Sequence, residues 1–553
     1  MTGTAEHDQV DPAGFSTVAR NSMSVAFWVL VSRVTGFARI AVIAAVLGPT
    51  YLGNTFQAMN QLPNLIIYDL LMGSLFLSLL VPSLVPHVDA RDPRGVERVA
   101  GAFLGMVTLA FLVVAIMGIL AGPLLLRLFA LGVRDPSAAL AQQRVGWLLL
   151  VLLMPQVLLY GVATTAIAVM NAHGRFALAY AAPAVENLGV IATLGVYGAL
   201  FGTGTSIERV TLAQVLVLGL GATAAVVLHA AAQWWGARRL GIRLLPRAGW
   251  RDAEVRQLLG RAVPSLGYAA VRSLRLFAVL VVANSVPGGV IAFQLAFNFL
   301  ALSLAVGAFP VSVAVLPELA RLHVEGRLHQ FRHQVVRAMA LVHFLTVPAA
   351  VAFIVLAGRL AHAVAFGEMA ATSGVALIAA ALIGLSTSVI GDARFEVALQ
   401  ASYARHNARS PFYSQALCTA IALAGMLVAF MLPPGAWVLL VLGLAMSASS
   451  LAAGWHLSHR VMRRLPESGE RATPGILRAL AGAGLMAGPV YLATRMIPTS
   501  SGGQLSSLAG LLAASLVGIT VYVALQRLWR SPELRTLLSA ARAGGIQVRG
   551  GAC

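Results

Sequence analysis

The sequence predicts an all-α polytopic membrane protein, with about fourteen transmembrane helices arranged as two six-helix lobes followed by two more helices. Three observations predict it: the composition, the placement of arginine between apolar runs, and a likeness between the two halves. Of 553 residues, 59% are hydrophobic and 11% are charged, against about 25% charged residues in soluble domains. The polar stretches are too short to fold as a separate aqueous domain. The net charge of +19 would point to nucleic acid in a soluble protein. Here the charge lies between apolar runs, so nucleic acid is not expected as a partner.

With about 20 residues per crossing, the apolar segments fall at 19–47, 54–85, 98–125, 143–170, 177–201, 211–235, 258–284, 288–318, 333–357, 373–400, 411–431, 436–457, 474–494 and 505–528. Prolines inside them (Pro63, Pro155, Pro183, Pro264, Pro310, Pro348) are tolerated where neighbours satisfy the freed backbone groups. Residues 1–17 hold acids and hydroxyl residues without an apolar core, so no cleaved leader is expected. All 39 basic residues are arginine. With the N-terminus inside and the spans alternating, 28 arginines fall in cytoplasmic segments, six outside and five within spans. That asymmetry is the one the positive-inside rule demands, and it places both termini in the cytoplasm.

The halves resemble each other. In "PNLIIYDLLMGSLFLSLLVPSL" and "FNFLALSLAVGAFPVSVAVLPEL", Asn64 precedes Gly73 by nine residues and Asn298 precedes Gly307 by nine. Spans 4 and 10 also end alike, in "NAHGRFALAY" and "YARHNARSPFY". The expected organisation is a tail (1–18), an N-lobe (19–235), a cytoplasmic interfacial linker (236–257), a C-lobe (258–457), two helices forming a candidate lipid-tail groove (458–528) and a cytoplasmic tail (529–553). Repeats of this kind place the substrate site between lobes near the bilayer midplane. The linker "GARRLGIRLLPRAGW" is expected to lie at anionic headgroups.

Charges within spans are the candidates for function, because a guanidinium at the centre of a membrane helix costs roughly 2.5–3.5 kcal/mol even on lenient scales. Arg33 and Arg39 are six apart in the first span and point to different faces. One is expected to line a cavity, while the other pairs with a neighbour or reaches headgroups. Arg272 and Arg275, three apart in span 7, are expected to share a face. If both pairs face a central cleft, the cleft is cationic and the cargo anionic, since the guanidinium fork suits phosphate. Asp69, Glu186, Asp392 and Glu396 are the acids within spans, with Arg394 between the last two. They are expected as arginine partners or as coupling groups. His343 reads as a satisfied interior histidine, and Gly484 and Gly488 as close helix packing.

Catalytic signatures are missing: there is no nucleophile elbow, phosphate-binding Gly-Lys-Thr loop or metal-ligand set. Asp89 and Asp92 read as a solvated loop, so a membrane glycosyltransferase with a metal-diphosphate site is disfavoured. Cys418 and Cys553 form no disulfide framework. No metal and no cofactor is expected, and the sequence names no coupling ion.

"SRVTGFARIAVIAAVLGPT" (32–50), "QLPNL" (61–65), "LLVPSLV" (79–85), "AVMNAHGRFALAYAAPAVENLGVI" (168–191) and "VSVAVLPELARL" (311–322) resemble the MurJ/MviN family of lipid II flippases. The resemblance is patchy and spans most of the chain. It implies a bacterial cytoplasmic-membrane transporter, not an enzyme. Such a transporter moves undecaprenyl-diphosphate-linked disaccharide-pentapeptide, or a similar lipid diphosphate, across the bilayer by alternating access. It also implies membrane lipids, and cell-wall synthesis and division proteins, as partners. Arg33 and Arg39 match the family's two arginines of helix 1, which makes them expected diphosphate ligands; Arg272 and Arg275 are expected to join them. The family's acid after helix 1 falls on Asn54, its arginine pair on Ile67 and Tyr68, its glutamate on Met72 and its helix 8 arginine on Asn298. Asn54, Asn64 and Asn298 are therefore candidate polar groups of the cavity, and no sodium site is carried over. The rival expectations are a paralogous exporter of another lipid-linked glycan or amphiphile, and a non-transporting scaffold for cell-wall synthesis.

Overall fold

A computed structural model of the chain describes residues 12–64, 80–249, 267, 270–371, 373–407, 409–466, 473–496 and 503–539. The first lobe comprises α1 (Pro12–Leu47), α2 (Tyr51–Asn64), α3 (Val81–Asp89), α4 (Pro93–Phe129), α5 (Pro136–Leu153), α6 (Gln156–Ala172), α7 (Phe176–Phe201) and α8 (Leu212–Arg239). Local chemistry sets their ends. The Asp92 carboxylate accepts from the Gly95 N–H at the start of α4, with Pro93 in its first turn. Asp92 is thus a helix cap rather than merely a solvated loop residue. Thr211 and Gln214 form a reciprocal capping box on α8. At Gly48 a φ of +67° ends α1 and turns the chain into α2.

The second lobe comprises α9 (270–283), α10 (Gly289–Ser303), a π-helical turn at Leu304–Ala308, α11 (Phe309–Val324), α12 (Leu328–Val364), the short α13 (Glu368–Ala371), α14 (Gly374–Leu385), α15 (Ser388–Ala404), α16 (Arg409–Met431) and α17 (Ala436–Met462). Its packing repeats that of the first lobe. The contacts of α4 with α5 and α6 recur as α12 with α14 and α15. Those of α8 with α5, α6 and α7 recur as α17 with α14, α15 and α16. The break at Met154–Pro155 between α5 and α6 likewise has its counterpart in a 43° bend between α14 and α15. The last helices, α18 (Thr473–Met496) and α19 (Gly503–Leu528), pack on each other and on α12. A final helix α20 (532–539) is tied to α18 by an Arg478–Glu533 ion pair at 3.0 Å.

The expected count of fourteen crossings is not confirmed. Among the described residues ten helices are long and apolar enough to cross, or eleven if the bent pair α14–α15 is one span. Three expected spans are not single long helices there. Span 2 runs through residues outside the described set, span 7 begins in them, and span 8 is divided by the π-turn. Leu109, Val113, Met117, Leu120 and Leu124 leave an apolar stripe exposed along α4, at the spacing of one helix face. Such a face, on a 37-residue helix long and apolar enough to cross a membrane, suits lipid.

One other expectation differs. Among the described residues a Cβ at Gly484 or Gly488 would meet nothing within 4 Å, so neither glycine serves helix packing there; on α18 that role falls to Gly482, against Tyr522 and Gln526. The linker packs on the first lobe where it is described. Ile242 and Leu244 are buried, the Arg247 N–H donates to the Gly101 carbonyl, and the Glu97 carboxylate accepts from the Arg243 N–H, which holds the strand of chain on α4. Its remainder from residue 250 lies outside the described residues, as does Asp69.

Candidate functional site

The lobes meet tightly at one end. Asn54, at the start of α2, is fully buried; its amide donates to Asn284 Oδ1 (3.1 Å) and to the Val286 carbonyl (2.8 Å), and its oxygen accepts from the Val290 N–H (3.0 Å). Asn284 exchanges hydrogen bonds of 2.9 Å with Gln142 of α5 and donates to the Phe129 carbonyl. Beside this network Thr203 donates to Glu368 (2.7 Å), and the Gly288 N–H donates to the Thr50 carbonyl. All of these bonds pass between lobes. The hydrophobic core runs across both lobes here, whereas at the opposite end α11, α12, α15 and α17 of the second lobe close a core of their own.

Beneath the sealed end, two adjoining cavities of about 470 and 710 Å³ lie between the lobes. They share Ser32, Arg33, Arg39, Gln61, Pro183 and Gln294 in their walls. Gln61 of α2 donates to Gln294 of α10 at 2.6 Å, so the lobes touch again at the cavity wall. Arg272 and Glu186 line the smaller cavity and Asn298 the larger.

The placement of α1 explains how two arginines reach one chamber. Asn187 of α7 donates to the Ser32 carbonyl and to Thr35 Oγ1, pinning the middle of α1. Arg33 lies within the pinned stretch, between Ser32 and Thr35, and Arg39 lies four residues beyond it. Both line the cavities, although their six-residue spacing points them to different faces, because each side chain is long enough to turn inward.

Arg39 is also paired. Its Nη1 stands 3.5 Å from Glu186 Oε1, and its Nε is buried without a hydrogen-bond partner among the described residues. Glu186 is held from behind: Tyr160 OH donates to Oε1 at 2.9 Å, and His229 Nδ1 lies 2.7 Å from Oε2. Among the described residues that line the cavities, three guanidinium groups from two lobes thus face one carboxylate. Low-dielectric walls sharpen that excess, because two unit charges 4 Å apart interact with about 4 kcal/mol at an effective dielectric of 20.

Arg272 and Arg275 do not share a destination. Arg275 turns into the second lobe, where its Nη1 donates to Cys418 on α16 (2.7 Å), and it does not line the cavities. The 60° between positions three apart separates the ends of the two side chains, although both stay within the field of Asp392. Asp392 is hydrogen-bonded by Ser450 in the field of Arg275 and Arg272, Glu396 accepts from Gln400 and Arg394 donates to Ser458. These groups belong to the second lobe's interior. Asn54 belongs to the seal rather than the chamber, and Asn64 ends α2. His343 is buried and bonded to the Met339 carbonyl, as expected.

Sequence reading missed the amides Gln61, Gln142, Asn284 and Gln294, and the backing pair Tyr160 and His229. One signal was available: Gln61 and Gln294 stand three and four residues before the aligned Asn64 and Asn298. Among the described residues no three His, Cys, Asp or Glu side chains come together as a metal site.

The family model described as "Lipid II flippase MurJ" matches residues 43–513. A "Probable lipid II flippase MurJ" from Rhizobium tropici is 28% identical over 396 residues, 70% of this chain and 71% of that protein. Another of the same description from Rhizobium meliloti (strain 1021) is 26% identical over 501 residues, 88% of this chain and 89% of that one. A solved structure, "Lipid II flippase MurJ, inward closed conformation", superposes with a TM-score of 0.69 over 93% of this chain and 99% of its own, at 15% identity. At that identity the likeness is one of fold.

Proposed function

Because the chain belongs to the lipid II flippase MurJ family, we propose that the cavity between its lobes receives the diphosphate of lipid II, with Arg33, Arg39 and Arg272 as its ligands. The protein is a multi-pass inner-membrane transporter of peptidoglycan biosynthesis, and not an enzyme. Its task is to carry a charged headgroup across a hydrocarbon layer, and that task needs fixed positive charge near the midplane more than it needs a reactive group.

The observation that carries the reading is the meeting of guanidinium groups from both lobes in one chamber below a hydrogen-bonded seal. The arginine distribution supports an orientation with the sealed end outside and both termini in the cytoplasm. In this state the headgroup enters from the cytoplasmic side. The seal is made of neutral amides, each bond contributing about 0.5–1.5 kcal/mol net, and water can replace those bonds when the lobes rock apart. The lobes then part at the outer end and the headgroup leaves. The apolar faces of α18 and α19, with Leu485, Leu492, Leu512 and Leu516 exposed, are the surface assigned to the lipid tail. Cell-wall synthesis and division proteins are the partners such a transporter would feed.

The test is transport of fluorescent lipid II in vesicles carrying the purified chain. A charge-assisted hydrogen bond contributes about 1.5–3 kcal/mol. Arg33→Ala, Arg39→Ala and Arg272→Ala are each expected to slow flipping about ten-fold or more. Three variants that all flip at the parental rate would sink the assignment of the cavity. Rescue of cells depleted of their own lipid II flippase decides between lipid II and another lipid-linked glycan, a choice that the neutral Asn54 and Asn298 make worth testing.

A further inference from the structure

Glu186 sits where a cargo anion would sit. It lines the smaller cavity, its side chain is 10% exposed, and it engages Arg39, the guanidinium that reaches deepest along α1. Its three partners hold it unequally. The Tyr160 and His229 contacts, at 2.9 and 2.7 Å, are full hydrogen bonds. The Arg39 contact, at 3.5 Å, is longer than the 2.7–2.9 Å of a formed charge-assisted bond. The carboxylate is therefore anchored in the first lobe and only leans on the arginine. Arg39 in turn keeps a buried Nε without a partner among the described residues, so its donor fork is not saturated by Glu186.

We propose that Glu186 is a displaceable counter-anion for Arg39: the cargo's phosphate takes its place on the guanidinium, while Tyr160 and His229 keep the carboxylate within reach to recapture Arg39 as the cargo leaves. The proposal rests on the reading in which the cavity takes a diphosphate. Its physical basis is the cost of a bare charge. Without cargo, a guanidinium in a half-dry chamber needs an anion beside it; with cargo, a second anion on the same fork repels the first. A tethered carboxylate meets both demands. It also keeps the cargo from binding too tightly to be released, and release is what turnover requires.

The experiment measures binding of farnesyl diphosphate to the purified full-length chain in detergent by calorimetry, beside flipping in vesicles. Glu186→Gln removes the competing charge and is expected to tighten binding about ten-fold while slowing flipping. Tyr160→Phe releases one anchor, lets Glu186 settle on Arg39, and is expected to weaken binding several-fold. In the Glu186→Gln background the same Tyr160→Phe change is expected to do nothing. A purely architectural role for Glu186 predicts loss of both binding and flipping, and that result would overturn the proposal. So would unchanged binding in Glu186→Gln alongside weakened binding in Arg39→Ala, which leaves the cavity assignment standing. If Arg33→Ala, Arg39→Ala and Arg272→Ala all bind as the parent does, the cavity assignment fails and takes the counter-anion with it. Thermal midpoints of each variant, within a few degrees of the parent, establish that the comparison is between folded proteins.

Discussion

At the scale of single residues, two kinds of polar group are buried between the lobes, and their chemistry divides the labour. Amides make the seal and charges make the chamber. Asn54 joins Asn284 and two backbone groups of the other lobe, all out of contact with solvent. A charge in that place would resist drying each time the lobes close, whereas an amide loses little when water takes over its bonds. Asn54→Ala takes the side-chain partner from the Val286 carbonyl and the Val290 N–H, while Asn284 keeps Gln142 and Phe129, which is expected to disfavour the closed seal by about 1–3 kcal/mol. A cysteine at position 61 should then react faster with an impermeant maleimide added outside the cell than it does in the Asn54 parent. Equal rates would mean that the amide network does not hold the outer end shut. Arg275 shows the limit of reading residues singly: it differs from Arg272 by three positions, and only the packing of α16 turns it towards Cys418.

At the scale of elements, the second lobe is held together by backbone contact. A Cβ at Gly443 on α17 would stand 2.8 Å from Gly384, and one at Gly454 would stand 2.4 Å from the Gly391 carbonyl oxygen. These two pairs let α14 and α15 cross α17 with no side chain between them, the close approach that small residues permit in membranes. Gly391→Leu has nowhere to put its side chain and is expected to cost well over the 1–3 kcal/mol of ordinary overpacking, seen as lost monodispersity or a lowered thermal midpoint. Gly484→Ala enters open space on α18, and helix propensity alone favours it by up to about 1 kcal/mol. A thermal midpoint for Gly484→Ala well below the parent's would show that this face is covered in the membrane. The break between α5 and α6 was half legible, because Pro155 marks it; the bend at Ser386–Thr387 has no proline and follows from the crossing with α17.

At the scale of the whole molecule, charge is the expected source of orientation and the repeat builds the cleft. In the proposed orientation 28 of the arginines fall in cytoplasmic segments, where anionic headgroups and the membrane potential favour them. A green fluorescent reporter fused after residue 528 is expected to fluoresce, as it does only when folded in the cytoplasm; a dark, translocated fusion would reverse the orientation and with it the direction assigned to the cavity. The duplicated packing makes two bodies of similar shape, and at their joint charges of one lobe line the same cavity as a charge of the other.

Membrane residence, helical class, a two-lobed plan and the presence of Arg33 and Arg39 within a span could be read from the sequence, because hydrocarbon forbids other solutions. Backbone groups must be satisfied within helices, and a guanidinium is not retained in such a segment without use. The partners of those arginines could not be read. Glu186 meets Arg39 across 147 positions of chain and Asn54 meets Asn284 across 230, and spacing along one helix carries no information about which face another helix presents. Tertiary packing alone decided that Arg272 enters the chamber and Arg275 leaves it, that amides close one end, and that a carboxylate waits beside the deepest cation.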